Sequence, residues 1–252
     1  MASAASPTIS DILRETAHRP WPLPVRRWAM VQIWRDLLFA HWRVPGEKLR
    51  PLIPAPLELD TFAEDAWLTV APFHMSLRFC RMPILPGMAR IPELNCRTYV
   101  TAGGKPGIFF FSLDAASRFA VWGARAFYHL PYFPARMHVE ERNGAIAYSS
   151  SRLRGGAAVF RGSYAPTSPP RRAAPGSIEH FLVERYCLYT VWRGAAYRGD
   201  IHHLPWPLQD ASVQIEENLV PRTAGIEIDA TRPTLTAFVK ELKVVIWPLA
   251  KV

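Results

Sequence analysis

From Trp28 to Trp247 the chain is dominated by short runs of β-branched, aromatic and aliphatic residues bounded by glycine, proline and asparagine, the pattern of many paired strands. The first run, Trp28 to Trp42, has no helical period and reads as one long or bent strand buried on much of both faces. Further runs are Ala66 to Met75, Pro92 to Thr101, Gly107 to Leu113, Met137 to Tyr148, Ser151 to Tyr164, Arg185 to Val191, Tyr197 to His203, Ser212 to Glu217 and Thr236 to Trp247. Gly103-Gly104 and Asn143-Gly144 are hairpin turn signals, which makes neighbouring strands antiparallel.

Helices are few and short. Thr8 and Asp11 fit a capping box over Thr8 to Thr16, a short helix follows at Glu47 to Leu52, and two more are predicted at Ala115 to His129 and, capped by Ser177, up to Val183. The fold class is therefore α+β, mainly antiparallel β, with a curved or closed sheet, because closure removes exposed strand edges. Pro166 to Gly176 is predicted to be a mobile loop.

A chain of 252 residues with 49% hydrophobic and 20% charged residues buries a full core as a single domain, residues 1–252, with residues 1–25 as a helix and Pro-rich lead-in. No apolar run approaches the roughly 20 residues of a bilayer span, and Asp11, Arg14, Glu15 and Arg19 interrupt the start, so a cytoplasmic protein with no membrane partner is expected. The three cysteines, Cys80, Cys96 and Cys187, lack paired spacing and read as reduced core thiols. The net charge of +9 is spread over the length, and Arg152, Arg154, Arg161, Arg171 and Arg172 lack any recognition-motif context, so no nucleic-acid partner is expected.

The stretch Ile91 to Val100 carries the most chemical information. A strand points alternate side chains to opposite faces, so Glu93, Asn95, Arg97 and Tyr99 share one face while Leu94, Cys96, Thr98 and Val100 share the other. An acid, an amide, a guanidinium and a phenol in a row face either solvent or the lumen of a closed sheet. In a lumen, a buried carboxylate and guanidinium would bind a small acid. Other polar groups read as structural: Asp114 as a helix N-cap beside Ser112, and Glu184-Arg185-Tyr186 as a helix-to-strand junction with an ion pair. His202 and His203 are adjacent and point opposite ways on a strand, which disfavours a shared metal. No nucleophile elbow, phosphate loop or dinucleotide fingerprint is present, and no metal or other cofactor is expected.

Several segments resemble the YqjF-like family, domain of unknown function 2071. They are WRDLLFAHWRVP from Trp34, LIPAPLELDTF from Leu52, ELNCRTYV from Glu93, GKPGIFFFSLDA from Gly104, HLPYFPARM from His129, FLVERYCLY from Phe181, HHLPWPL from His202 and IWPL from Ile246. More distantly, Ile53 to Asp60, Leu113-Asp114, Gly123 to Arg125 and Tyr132 to Arg136 are similar to acetoacetate decarboxylase. That resemblance implies a curved sheet or barrel with an internal cavity, and aligns Glu93 with the decarboxylase glutamate. It also implies a loss. Where the decarboxylase carries a lysine pair, this chain has Ala135 and Arg136, and arginine cannot form a Schiff base.

The expected ligand is a small organic acid or carbonyl compound. Arg97 or Arg136 would grip the anion, Glu93 would serve as general acid or base, and Asn95 and Tyr99 would orient the ligand, with Ser112, Asp114 and His203 behind them. Beside a guanidinium, Glu93 is expected to have a lowered pKa. The activity would be lyase-, hydratase- or isomerase-like. The alternative is a non-catalytic sensor or carrier that kept the pocket. A homo-oligomer is left open.

Overall fold

The computed structural model describes residues 6–80, 82–84 and 87–252. In chain order the strands are β1 (Met30–Val44), β2 (Glu58–Leu59), β3 (Ala66–Phe79), β4 (Ile91–Ala102), β5 (Lys105–Ala115), β6 (Tyr132–Arg142), β7 (Ala145–Arg152), β8 (Val159–Pro166), β9 (Cys187–Trp192), β10 (Ala195–His202), β11 (Ala211–Asn218) and β12 (Leu235–Lys251). The helices are α1 (Ile9–Arg14), α2 (Gly46–Leu49), α3 (Arg118–Tyr128) and α4 (Ile178–Val183). Thr8 and Asp11 form the expected capping box on α1, and Ser177 caps α4. Among the described residues, no helix is long and apolar enough to cross a membrane.

Both predicted turns have left-handed backbone at their two central residues, Gly103-Gly104 (φ 56° and 70°) and Asn143-Gly144 (φ 52° and 78°), which suits the right-handed twist of the strands they join. The second turn divides the Met137 to Tyr148 run into the β6–β7 hairpin. A third hairpin at Arg193-Gly194 links β9 to β10, with φ of 50° and 75°. Its first position is an arginine, which hides the turn signal.

Seven strands close a barrel in the order β5-β9-β10-β12-β1-β3-β4, and β4 returns to pair with β5. Closure depends on a parallel contact between β5 and β9, where Ile108 faces Leu188. Gly107 permits that approach: a Cβ there would lie 2.7 Å from the Cys187 carbonyl oxygen and from its Sγ. The far end of β5 pairs instead with β6, which starts an antiparallel β6-β7-β8-β11 extension. This extension covers the outside of β1, β3 and β4. Leu38, Leu68, Leu94 and Cys96 pack there against Ile146, Tyr148, Phe160 and Tyr164. These three barrel strands are thus buried on both faces, which accounts for their near-continuous apolar sequence.

Two bulges set which side chains enter the lumen. On β1 the register shifts between Arg35 and Ala40, with Asp36 at φ 53°, so that Trp34 and Leu37 both face inward. On β5 the pairing passes from Cys96–Ser112 to Arg97–Phe110 and skips Phe111. Ile108 and Phe110 face the lumen before this bulge, and Leu113 does so after it.

The predicted mobile loop is tied down. The Arg171 backbone exchanges two hydrogen bonds with Leu208, and its guanidinium holds Glu179 and Asp210. Arg152 is buried against Asp114, and Arg161 faces Glu217, so much of the densest arginine group is already paired within the chain. Cys96 and Cys187 are buried free thiols, while Cys80 is half-buried.

Candidate functional site

The lumen holds a cavity of about 190 Å³. Its polar end is formed by Glu93, Asn95 and Arg97, which are only 3%, 4% and 6% exposed. The other walls are mostly apolar, and include Trp34, Leu37, Phe73, Phe110, Leu113 and Leu188, with Gln32 accepting a hydrogen bond of 2.7 Å from the Trp34 indole. Helix α3 closes one side.

Alternation along β4 therefore separates two environments. Glu93, Asn95 and Arg97 face the cavity, while Leu94 and Cys96 join the core between barrel and extension. Tyr99 shares the inward face but lies outside the cavity wall. Its hydroxyl is 2.6 Å from Thr69 Oγ1, and the same Oγ1 lies 2.8 Å from His41 Nδ1. Burial, with the nearby Arg97 charge, holds His41 down at about 3, so this imidazole is neutral over the ordinary pH range.

Glu93 stands between Phe73 on β3 and Ala115 on β5. Burial in this setting pushes its carboxyl up to about 8, against a hydrogen bond of 2.8 Å donated to Oε2 by the Tyr132 hydroxyl; the Asp114 charge adds to the rise. The expected lowering by Arg97 is overturned. Four positions along a strand span about 13 Å, too far for the two side chains to pair closely. Glu93 is thus a neutral acid near pH 7, a proton donor instead of a paired carboxylate.

Arg97 has no carboxylate partner among the described residues, and its Nε is buried without a hydrogen bond. Its guanidinium lies over the Phe39 ring at 5.1 Å from the centroid, and burial lowers its pKa. The Oδ1 of Asn95 is likewise buried and unpartnered. A buried guanidinium that nothing neutralises costs stability. Together these groups form a cation, an amide and a neutral acid directed at one space, complementary to an anion with a second polar atom.

The remaining candidates lie elsewhere. Arg136 is exposed on β6: Met137 and Val139 pack toward the extension core and Ala135 is buried, so the intervening Arg136 and His138 face water. The bulge at Phe111 turns Ser112 and Asp114 to the outer side of β5, behind the cavity wall. Asp114 is no helix cap. Ser117 caps α3, and Asp114 forms a buried ion pair with Arg152 at 2.7 Å. His203 is fully buried and bonded to the Leu204 and Arg185 carbonyls, reaching the cavity only through Trp206 and Trp34. The neighbouring Arg185 pairs with the distant Asp60 at 2.5 Å and not within the Glu184-Arg185-Tyr186 triplet, where Glu184 instead accepts from the Tyr186 hydroxyl and the Trp206 backbone.

Sequence reasoning missed Tyr132, which lies two residues before the quoted Pro-Ala-Arg and meets Glu93 through the parallel β5–β6 pairing. It also missed the α3 side chains Phe119, Trp122 and Phe127 as cavity walls.

A small closed barrel with an outer sheet is the acetoacetate-decarboxylase-like fold. Acetoacetate decarboxylase from Legionella pneumophila superposes with a TM-score of 0.59 over 100% of this chain and 98% of that one, at 11% identity. The enduracididine biosynthesis enzyme MppR complexed with pyruvate gives 0.60 over 93% and 94%, at 10% identity. The chain belongs to the DUF2071 family, described as an uncharacterized conserved protein, whose model matches residues 31–243. It is 48% identical over 225 residues to the uncharacterized protein YqjF of Bacillus subtilis (strain 168), covering 89% of this chain and 93% of the relative.

Proposed function

We propose that the protein binds a small organic acid in the barrel lumen and acts on it as a lyase, hydratase or isomerase without a Schiff base. The observation that carries this reading is the buried, unneutralised Arg97 at the wall of the lumenal cavity. Its planar fork receives the carboxylate, and Asn95 offers its amide to the same ligand. Glu93, protonated near neutral pH, donates to a carbonyl or hydroxyl oxygen further along the ligand. After proton transfer, the Tyr132 hydroxyl bond to Oε2 stabilises the carboxylate left behind. MppR, which shares the fold, has been captured with pyruvate, an acid of the same chemical type.

A second reading, a non-catalytic sensor or carrier, is favoured by one feature: no lysine lines the cavity among the described residues, and Ala135 and Arg136 stand at the decarboxylase lysine pair. A thermal-shift panel of keto acids, hydroxy acids and their amides tests binding under both readings, since a ligand specific for the native state raises Tm. Acids that shift Tm while their amides do not support the site; equal shifts, or none, reject it. Turnover of the best acid then separates enzyme from carrier.

The same geometry predicts no imine. Borohydride added with acetoacetate should leave the protein mass unchanged, because each of the five lysines lies away from the cavity. A keto-acid-dependent adduct on any lysine, detected by mass spectrometry, would place the chemistry elsewhere.

A further inference from the structure

The polar end accounts for a small part of the cavity. Most of its surface is aliphatic or aromatic, and one wall is helix α3, which packs on β5 and β6 and whose Phe119, Trp122 and Phe127 both line the cavity and stand 57%, 59% and 67% exposed. Side chains that touch cavity and solvent at once mark a mouth. Large apolar groups this exposed are costly to leave in water unless something covers them.

From this geometry we infer that the ligand is an amphipathic carboxylic acid, whose apolar chain or aryl group fills the lumen and leaves beneath α3 between Phe119, Trp122 and Phe127. The inference deepens the reading of Arg97 as the carboxylate anchor and rests on it. A cavity of about 190 Å³ sets the scale, because a void of roughly 150 Å³ accommodates benzene. A compound as small as pyruvate would leave the apolar walls dry and unfilled. An acid with about six to eight carbons would fill them, and longer chains would emerge at the mouth.

Gly123 makes the mouth testable. It lies on α3 in the cavity wall, and a Cβ built there meets no atom within 4 Å. Leucine at this position occupies the passage without a clash at its first atom and is a better helix former than glycine, so the variant is expected to fold.

The experiment is a calorimetric titration of wild type, Gly123→Ala, Gly123→Leu and Arg97→Met with butanoate, hexanoate, octanoate and decanoate at pH 6.5. Wild-type affinity should rise about fourfold per methylene, level off once the lumen is full, and weaken throughout the series in Arg97→Met. Gly123→Leu should weaken octanoate at least about tenfold and leave butanoate within about twofold, with Gly123→Ala between them. Length-independent binding that still requires Arg97 would overturn the tail and leave the anchor standing. Length dependence indifferent to both Gly123→Leu and Arg97→Met would mean adsorption on the exposed aromatic face, and would overturn the inference. If none of the four acids binds wild type, the tail and the anchor fall together.

Discussion

Replacing Arg97 by methionine should make the empty protein more stable, by about 1–4 kcal/mol, while removing its ability to hold a carboxylate. Most charged residues behave in the opposite way, because their partners are left unpaired when they are removed. Among the described residues Arg97 has no carboxylate partner to strand, and its Nε is buried without a hydrogen bond. Within the protein it stacks on Phe39, worth about 1–2 kcal/mol when desolvated, and donates to the Tyr99 hydroxyl, which keeps Thr69 as a partner when the guanidinium is removed; the cost of burying the guanidinium is larger than both. Methionine keeps the apolar stem and fills similar space. In a domain of this size such a gain corresponds to a rise in Tm of about 5–10 °C, measured by calorimetric or circular-dichroism melting without ligand. A fall in Tm would mean that Arg97 is a structural element and not a binding group kept at the expense of stability.

The second large effect concerns Glu93 and pH. Its carboxyl is pushed from 4.5 up to about 8 in the folded protein, so the folded state holds a proton that the unfolded chain loses between these values. Stability from this group is complete below pH 4.5, declines as pH rises, and is fully lost once pH passes about 8. Glu93→Gln cannot ionise and still accepts the Tyr132 hydrogen bond, so it escapes the decline. The variant should match wild type near pH 4.5 and exceed it by on the order of 3–5 kcal/mol at pH 8, or about 10 °C in Tm. Melting curves collected from pH 4.5 to 8.5 on both proteins check this. Parallel curves would show that Glu93 is ionised when folded, and with it the proposed proton donor would be lost. By the same linkage, carboxylate affinity should weaken above pH 8 as Glu93 becomes an anion facing the ligand.

The inward face of β4 was legible because a strand alternates whatever its surroundings, and that alone grouped Glu93, Asn95 and Arg97. What alternation cannot reveal is where it breaks. The bulge at Phe111 has no glycine to mark it, yet it turns Ser112 and Asp114 away from the lumen and brings Leu113 in. Arg136 failed for a related reason: β6 leaves the barrel for the outer sheet, and the sheet that a strand joins decides which of its faces is wet. The Glu93–Tyr132 bond and the closure of β5 on β9 depend on parallel pairings between distant segments, which carry no local turn signal. The sign of the Glu93 shift followed from distance. Sharing a face placed Arg97 near Glu93 in the pattern, but the separation along the strand let burial outweigh attraction.

The anchoring of a carboxylate by Arg97 is tested most directly by the affinity ratio between one acid and its primary amide, octanoate and octanamide, measured calorimetrically on wild type and Arg97→Met side by side. An amide preserves size and apolar contact and removes the charge. The ratio should be about 100 or more in wild type, as expected for a desolvated guanidinium–carboxylate pair, and should collapse toward one in the variant. A ratio near one in wild type, or a large ratio that survives the substitution, would contradict the assignment of Arg97 as the group that recognises the ligand.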